Sequence, residues 1–284
     1  MTAKNWLKQN TEKLDGKIVA VSGATGGLGN CLCRYLAQLG ASLVLVDRNR
    51  EKSAALKAKL EAEFSVKISL VTCDLEDMAA VQAAAETLEK MNLYALVLNA
   101  GAYAIPRHKC STGLDNVFQI NFASPYYLAR RLKENGVKIV AVSSIALGYS
   151  KTDMDDVDFS TRTRASLCYG NAKRFLTFAL YGLFDGGAGL SVVHPGITLT
   201  GITDHYPKWI YAIIKRPMKV IFMPPKRACL SILRGLFEDC GKNEWIGPRF
   251  FNVWGLPKKR RLRKISAVEA EAICRKSEEI IRFT

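Results

Sequence analysis

The sequence predicts an α/β protein whose core is a doubly wound parallel sheet, covered by helices on both faces in three layers. Over the first 200 residues, strand-like and helix-like runs alternate. The strand-like runs are apolar throughout, which is typical of parallel strands buried on both faces. Glycines and polar side chains follow the ends of these runs, where doubly wound sheets bind their ligands.

Apolar runs and capping residues predict the strands and helices. Runs rich in Val, Ile and Leu predict strands at 17–22, 42–46, 66–73, 94–98, 137–142 and 190–193. Longer runs with helical spacing of apolar residues predict helices at 30–39, 50–63, 77–90, 112–133 and 165–184. Gly40 stands where a helix C-cap favours glycine. Ser266 and Glu269 form a capping box, which predicts a terminal helix over 267–282.

The chain length and hydropathy favour one domain. The 284 residues are 49% hydrophobic, enough for one large core. We expect a single domain over 1–284, with a core at 15–200 and a variable substrate lid at 201–230. A C-terminal strand, the basic run and the terminal helix then fill 231–284. No apolar run approaches the roughly 18 residues of a membrane span, and the polar N-terminus predicts no signal peptide.

Charge and cysteine usage limit the classes of partner. The net charge is +15, and beyond residue 200 there are 18 Lys and Arg against 8 Asp and Glu. Such a surplus suits anionic lipid, nucleic acid or an acidic substrate. The eight cysteines are scattered and form no Cys/His cluster, so we expect reduced thiols and no metal site. These features favour a cytoplasmic location, with peripheral membrane association as the alternative.

A glycine cluster lies between the first strand and the first helix. The residues from Ser22 to Gly29 read Ser-Gly-Ala-Thr-Gly-Gly-Leu-Gly. Glycines permit a tight turn and let backbone N–H groups approach a pyrophosphate, which the helix N-terminus also favours. The strand–turn–helix context predicts a dinucleotide site. Its candidate cofactor-binding residues are Gly23, Thr25, Gly27, Leu28 and Gly29.

Two neighbouring residues argue in opposite directions about the cofactor. Asp47 ends the second strand, where a carboxylate would accept hydrogen bonds from the adenosine ribose. Arg48 follows, and a cation there could pair with the 2′-phosphate of NADP. Because Asp47 would repel that phosphate, we expect NAD or NADP with NAD favoured.

Tyr169 and Lys173 stand four residues apart on a predicted helix and therefore share a face. A phenol has a pKa of about 10, and a nearby ammonium lowers it. The pair could exchange a proton with a substrate hydroxyl or carbonyl. Ser144, which follows the fifth strand, could orient the substrate oxygen. Asn121 lies inside a predicted helix, where it either disturbs the helix and holds a water or is an ordinary exposed residue.

Taken together, these motifs resemble the short-chain dehydrogenase/reductase family over roughly residues 15–200, with its retinol-dehydrogenase-like branch as the nearest pattern. The resemblance implies a Rossmann-like fold and hydride transfer between NAD(P)(H) and an alcohol or carbonyl carbon. It implies a catalytic tetrad of Asn121, Ser144, Tyr169 and Lys173. It also implies cofactor contacts from further residues, namely Asp74, Leu75, Asn99, Ala100, Gly101, Tyr169, Lys173, Pro195, Gly196 and Thr200.

Two regions depart from the family pattern. Tyr169 lies 25 positions after Ser144. This long gap contains Asp153, Asp155, Asp156 and Asp158, and we interpret it as a solvated loop rather than a metal loop. Residues 207–225 mix apolar and basic side chains. Such a mixture is typical of a buried lid helix, an apolar substrate pocket or a membrane-surface patch. A lipophilic substrate is therefore expected.

Other functions remain open at this stage. An epimerase or dehydratase of a nucleotide sugar usually needs a longer substrate region. A broken tetrad would favour a catalytically silent NAD(P)-sensing protein, and the intact tetrad argues against it. A basic nucleic-acid or membrane adaptor would depend only on the C-terminal charge, and no base-stacking motif accompanies the basic run at 258–264. We expect a small-molecule alcohol or carbonyl substrate, no nucleic acid, possible contact only with the membrane surface, and a homodimer or homotetramer.

Overall fold

A computed structural model of the protein describes residues 2–157, 159–161, 164–185, 188–198, 222–262 and 265–283. These residues form one eight-stranded sheet in the order β3-β2-β1-β4-β5-β6-β7-β8. The strands are β1 (Ile18–Ser22), β2 (Ser42–Asp47), β3 (Ile68–Thr72), β4 (Ala95–Leu98), β5 (Lys138–Val142), β6 (Leu190–Val193), β7 (Glu244–Phe250) and β8 (Trp254–Arg261). The first seven are parallel and β8 is antiparallel to β7. The predicted doubly wound sheet is confirmed.

Helices cover both faces of this sheet. They are α1 (Ala3–Asn10), α2 (Gly27–Gln38), α3 (Arg50–Glu63), α4 (Met78–Glu89), α5 (Asn116–Phe118), α6 (Ser124–Lys133), α7 (Ala165–Leu183), α8 (Pro225–Phe237) and α9 (Ala267–Phe283). A π-helical turn, Gln119–Ala123, joins α5 to α6, and a 3₁₀ turn, Ile145–Gly148, follows β5. One buried cluster joins the sheet to α4, α6, α7 and α9, and a second joins it to α1, α2, α3 and α8.

The predicted helix over 112–133 starts too early. Gly113 has a left-handed backbone (φ 80°), which ends any helix at that point. Asp115 instead caps α5, because its side chain accepts hydrogen bonds from the backbone N–H groups of Val117 and Phe118. The helical segment therefore begins at Asn116.

The C-terminal part of the chain completes the sheet. Helix α8 packs its apolar face against α2 and the strands, and β7 and β8 form a hairpin. Residues 258–261 of the basic run lie in β8, where Lys259 Nζ contacts Glu238 Oε1 at 2.9 Å. Residues 263–264 lie outside the described part of the chain, as do residues 201–221 of the predicted lid, while 225–230 belong to α8. Among the described helices, none has the length and apolar composition needed to cross a bilayer.

Candidate active site

The glycine turn between β1 and α2 has little room for side chains. Gly23 is left-handed (φ 64°), and a Cβ built there would lie 2.9 Å from Ala100 Cα. A Cβ on Gly29 would overlap the Gly23 carbonyl oxygen. Helix α2 starts without a side-chain cap at Gly26, so its first N–H groups point into the turn. An uncapped helix N-terminus of this kind favours an anion such as a phosphate.

Asp47, at the end of β2, supports this turn. Its carboxylate accepts hydrogen bonds from the Thr25 backbone N–H at 2.8 Å and from the Thr25 hydroxyl at 3.2 Å. Burial raises the pKa of Asp47, while the Thr25 hydrogen bonds lower it. Arg48 is more exposed, with 67% of its side chain accessible, and its nearest ion-pair contact is Glu76 at 4.0 Å.

The Asn99-Ala100-Gly101 segment follows β4 beside the glycine turn. Asn99 Nδ2 donates to the backbone oxygens of Ser22 (2.9 Å) and Gly23 (3.1 Å). Its Oδ1 atom is buried and has no hydrogen-bond partner in the described residues. Ser22 Oγ accepts from the backbone N–H groups of Asn99 and Ala100, both at 3.1 Å. These bonds join β1 to β4 at the carboxyl edge of the sheet.

Asp74 and Leu75 follow β3 at the same edge. Asp74 Oδ1 accepts a hydrogen bond from the Glu76 backbone N–H at 3.0 Å. The Leu75 carbonyl accepts from Ser124 Oγ at 2.6 Å and from Gln119 Nε2 at 3.2 Å. The segment is therefore held against the π-helical turn.

Asn121 lies in the π-helical turn and is fully buried. Its Nδ2 donates to the carbonyls of Val117 and Ala102, each at 2.8 Å, and its Oδ1 accepts from the Ala102 N–H at 3.3 Å. A π-turn interrupts the regular helix ladder, and such turns are frequent at functional sites. The expected local disturbance of the helix at Asn121 is thus confirmed.

Ser144 and Tyr169 meet above the end of β5. The Ser144 hydroxyl lies close enough to the Tyr169 phenol to lower its pKa, and it accepts a hydrogen bond from the Ala146 backbone N–H at 3.2 Å. Helix α7 approaches the 3₁₀ turn closely at Gly170, where a Cβ would lie 2.6 Å from the Ala146 carbonyl oxygen. This close packing brings Tyr169 to Ser144.

Lys173 lies one turn along α7 from Tyr169 and is 2% exposed. Its Nζ donates to the Val142 carbonyl at 2.9 Å and lies 5.7 Å from the centre of the Tyr169 ring. A methyl group at Gly101 would lie 2.9 Å from Asn121 Oδ1 and 3.7 Å from Lys173 Nζ. The structure therefore brings all four residues of the expected tetrad to one place.

The pKa values in this protein differ from the expected pattern. Burial lowers the pKa of Lys173 to about 7. Burial raises the pKa of Tyr169 to about 12, although the Ser144 hydrogen bond acts in the opposite direction. A lysine that is half neutral near pH 7 stabilises a phenolate less than a full ammonium would. Burial of both side chains therefore opposes the lowered tyrosine pKa that the spacing of Tyr169 and Lys173 predicts.

Pro195 and Gly196 follow β6 next to the β7–β8 hairpin. Gly196 is left-handed (φ 87°), and a Cβ there would lie 2.8 Å from the Val253 carbonyl oxygen. The preceding His194 is buried and stacks on Trp245 of β7 at 5.3 Å. Thr200, the last expected cofactor contact, lies outside the described residues.

The acidic insertion between Ser144 and Tyr169 is partly buried in its described residues. Asp156 is 6% exposed, and its carboxylate accepts from the Ser160 hydroxyl at 3.2 Å. Asp153 Oδ1 accepts from the backbone N–H groups of Asp155 and Asp156, both at 3.1 Å. The interpretation as a fully solvated loop is wrong for Asp156, because its carboxylate organises the loop from inside. Asp158 lies outside the described residues.

A second polar cluster lies near Arg48. The ligand atoms of Glu76, His108 and Cys110 are within 4.8 Å of one another, a grouping that their sequence spacing does not indicate. Glu76 Oε2 lies 2.9 Å from His108 Nε2, and Asn116 Nδ2 lies 3.2 Å from His108 Nδ1. With the amide donating to Nδ1, the ring proton is on Nε2 and is donated to Glu76. A metal ion would need that same nitrogen deprotonated.

Sequence reasoning also missed two contacts behind the tetrad. Tyr103 meets the Tyr169 ring edge-on at 5.3 Å, and Thr177 shares a 2.7 Å hydrogen bond with Ser143. Tyr103 lies in an irregular loop, so no periodicity could assign its direction. Thr177 lies eight residues after Tyr169 on α7, and helical spacing could have indicated that it faces the sheet.

Comparison with known proteins identifies dehydrogenases that are similar to this chain. The family described as short chain dehydrogenase matches residues 17–154. Retinol dehydrogenase 12 of Mus musculus is 31% identical over 267 residues, covering 84% of this chain and 83% of the relative. Polyprenol dehydrogenase of Homo sapiens is 26% identical over 207 residues, covering 66% of this chain and 63% of the relative.

Solved structures agree on the fold. A crystal structure of an uncharacterised protein from Mycobacterium paratuberculosis superimposes with a TM-score of 0.73 at 20% identity, covering 99% of this chain and 97% of the other. A short-chain dehydrogenase from Sphingobium yanoikuyae in complex with NADPH has a TM-score of 0.59 at 24% identity, covering 78% and 84%. The sequence match to the family and the 31% identity to retinol dehydrogenase 12 over 84% of this chain place the chain in the short-chain dehydrogenase family, whose members are NAD(P)-dependent oxidoreductases acting on alcohol or carbonyl groups.

Proposed function

We propose that this enzyme interconverts a lipophilic alcohol and its carbonyl compound, with Tyr169 as the acid/base. The observation that carries the proposal is that Tyr169 lies beside Ser144, which lowers its pKa, and that Lys173 Nζ lies 5.7 Å from the centre of its ring. Retinol dehydrogenase 12 and polyprenol dehydrogenase are named for lipophilic alcohols, and this supports the substrate class. The domain division into a core, a lid and a C-terminal segment stays part of the proposal.

The residues present fit a dinucleotide. The turn at Gly23 and Gly29 leaves no room for side chains, the uncapped N-terminus of α2 favours an anion, and the buried Asn99 Oδ1 lacks a partner in the described residues. The expected contacts from Gly27, Leu28, Asp74, Leu75, Ala100, Pro195 and Gly196 would then extend along one edge of the sheet. The nicotinamide supplies or takes up the hydride when it is bound.

The chain's own residues handle the oxygen and its proton. The Ser144 hydroxyl would hold the reacting oxygen beside the Tyr169 phenol, which gives a proton in reduction and takes one in oxidation. Lys173, near the tyrosine ring, would favour the phenolate whenever it is protonated. Asn121 would fix the position of the backbone at Ala102 and Gly101, next to the reacting groups.

We infer that Asp47 favours NAD over NADP. The carboxylate lies at the end of β2, where it would accept ribose hydroxyls and repel a 2′-phosphate. Arg48 supports the opposite choice, because its side chain is mostly exposed. The Sphingobium yanoikuyae dehydrogenase is in complex with NADPH, so the two residues have to be separated by substitution.

We also propose that the enzyme contacts anionic membranes through the tip of the β7–β8 hairpin. Phe250 is 57% and Phe251 is 90% exposed, and Arg249 is exposed beside them. Exposed aromatic rings next to cations suit a lipid headgroup surface. Because Val253 of the same hairpin lies beside Gly196, docking there would bring the Pro195-Gly196 segment near the membrane, where lipophilic substrates dissolve.

The decisive experiment replaces Tyr169 by Phe and measures turnover on a panel of aliphatic and isoprenoid aldehydes with NADH and NADPH. We expect kcat to fall by about 10²- to 10⁴-fold, the usual contribution of a positioned acid or base, with cofactor affinity unchanged. Tyr149→Phe is the matched control, because Tyr149 is 73% exposed. Equal turnover by wild type and Tyr169→Phe would remove Tyr169 as the acid/base.

A further inference from the structure

Two cysteines face each other where α2 packs against α8. The Cys229 thiol donates to the Leu28 carbonyl at 3.3 Å, and the Tyr35 hydroxyl donates to the Lys226 carbonyl at 3.2 Å. Cys31 lies between Leu28 and Tyr35 on the same face of α2, because residues three and four apart share a face. These two contacts therefore align Cys31 with Cys229.

The two thiols differ in environment. Cys31 is partly exposed and Cys229 is buried. The neighbouring Cys229 side chain lowers the pKa of Cys31 to about 6 against the effect of its partial burial, and the positive charges of Lys226 and Arg34 add to the lowering. Burial raises the pKa of Cys229. At neutral pH the pair is therefore an accessible thiolate beside a protonated thiol, the arrangement of a reactive and a resolving cysteine.

We propose that Cys31 and Cys229 are a hydroperoxide-sensitive site that closes to a disulfide. The Cys31 thiolate attacks one oxygen of hydrogen peroxide, the O–O bond breaks, hydroxide leaves, and Cys31 becomes a sulfenic acid. The Cys229 sulfur then gives up its proton and attacks the Cys31 sulfur. The S–S bond forms, the S–O bond breaks, and water leaves. Hydrogen peroxide is the oxidant and is reduced to water, while both thiols are oxidised.

The bond would join the helix that starts at the glycine turn to a helix of the C-terminal part of the chain. Cys31 lies in the second turn of α2, and Leu28, the other Cys229 contact, belongs to the turn expected to bind the cofactor. The site differs from the proposed acid/base machinery, so its test does not depend on turnover.

The experiment treats the reduced full-length protein with hydrogen peroxide and follows intact mass and non-reducing peptide maps. We expect a loss of two hydrogens, one cross-linked peptide pair containing Cys31 and Cys229, and full reversal by dithiothreitol. Cys31→Ser should abolish the cross-link. Cys33→Ser is the matched control on the same helix, because Cys33 is fully buried, and it should leave the cross-link intact.

A second measurement uses the wild-type chain alone. Iodoacetamide should label Cys31 faster than any other cysteine, with a rate that rises through a midpoint near pH 6, and peroxide treatment should protect Cys31 from it. Oxidation of another cysteine first, or conversion of Cys31 to a sulfinic acid without the cross-linked pair, would overturn the proposal.

Discussion

Asp47 and Thr25 are joined by two hydrogen bonds, one to the backbone N–H and one to the hydroxyl of Thr25. The carboxylate that we infer selects the cofactor therefore also shapes the turn that would bind the phosphates. A substitution that removes the side chain changes both functions together. Separating them requires a residue that keeps the shape and loses the charge.

Asp47→Asn meets this requirement, because its Oδ1 can still accept from the Thr25 N–H while its Nδ2 donates to the hydroxyl. We expect NADPH to bind about tenfold more tightly than in wild type, since a repulsive charge is removed, while NADH weakens. Calorimetric titration of both cofactors checks this. Arg48→Ala is the companion variant, and if it alone changes the preference, Arg48 is the selecting residue.

The glycine turn offers a matched pair of substitutions. Gly23→Ala combines a left-handed backbone with a Cβ 2.9 Å from Ala100 Cα, whereas Gly16→Ala has φ 75° and open space. The backbone alone costs about 1–2 kcal/mol, so Gly16→Ala should lose about that much unfolding free energy. Gly23→Ala should lose clearly more and also weaken cofactor binding. Equal losses in denaturant melts would show that the close approach is unimportant.

Lys173 predicts a particular dependence of stability on pH. Its pKa is about 7 in the folded protein and 10.5 ordinarily, so between these values the unfolded chain binds more protons and stability rises with pH. Below pH 7 the buried charge carries its full cost. The advantage of Lys173→Met over wild type in unfolding free energy should therefore be largest below pH 7 and decline up to pH 10.5. A constant difference would mean that Lys173 keeps its ordinary pKa.

The hairpin tip can be tested without a substrate. Replacing Phe250 and Phe251 by Ser should reduce sedimentation with vesicles of phosphatidylserine and phosphatidylcholine severalfold, because buried aromatic area is lost. Val268→Ser is the control, an apolar residue 79% exposed on α9. Binding should also weaken as salt rises. No binding of the wild type at low salt would refute the membrane contact.

Local patterns predicted the regular elements well. The strand at 190–193 and the helix at 50–63 have the predicted bounds, because buried apolar runs and an Asn49 cap define them. The helix at 112–133 was predicted four residues too early, since Gly113 and the Asp115 cap decide its start. Helix α1 packs Trp6 and Leu7 into the cluster that contains α8, and patterns do not contain contacts so distant in sequence.

The candidate site was predicted in its members but not in its electrostatics. The spacing of Tyr169 and Lys173 indicated a shared helix face. It could not indicate that Lys173 is 2% exposed, because that burial comes from the π-turn and the sheet together. The sequence likewise could not indicate that Asp156 is buried. Its carboxylate accepts a hydrogen bond from the Ser160 hydroxyl within the same loop, and no residue pattern predicts that contact.

The cationic character of β8 has a consequence for assembly. An outermost strand offers backbone groups that can pair with a second sheet. In this protein the antiparallel strand presents Lys258, Lys259, Arg260 and Arg261 along that rim. Two copies meeting rim to rim would oppose these like charges, which is destabilising. Continuous sheet polymers are thereby discouraged, and we expect any homodimer or homotetramer to assemble through its helices.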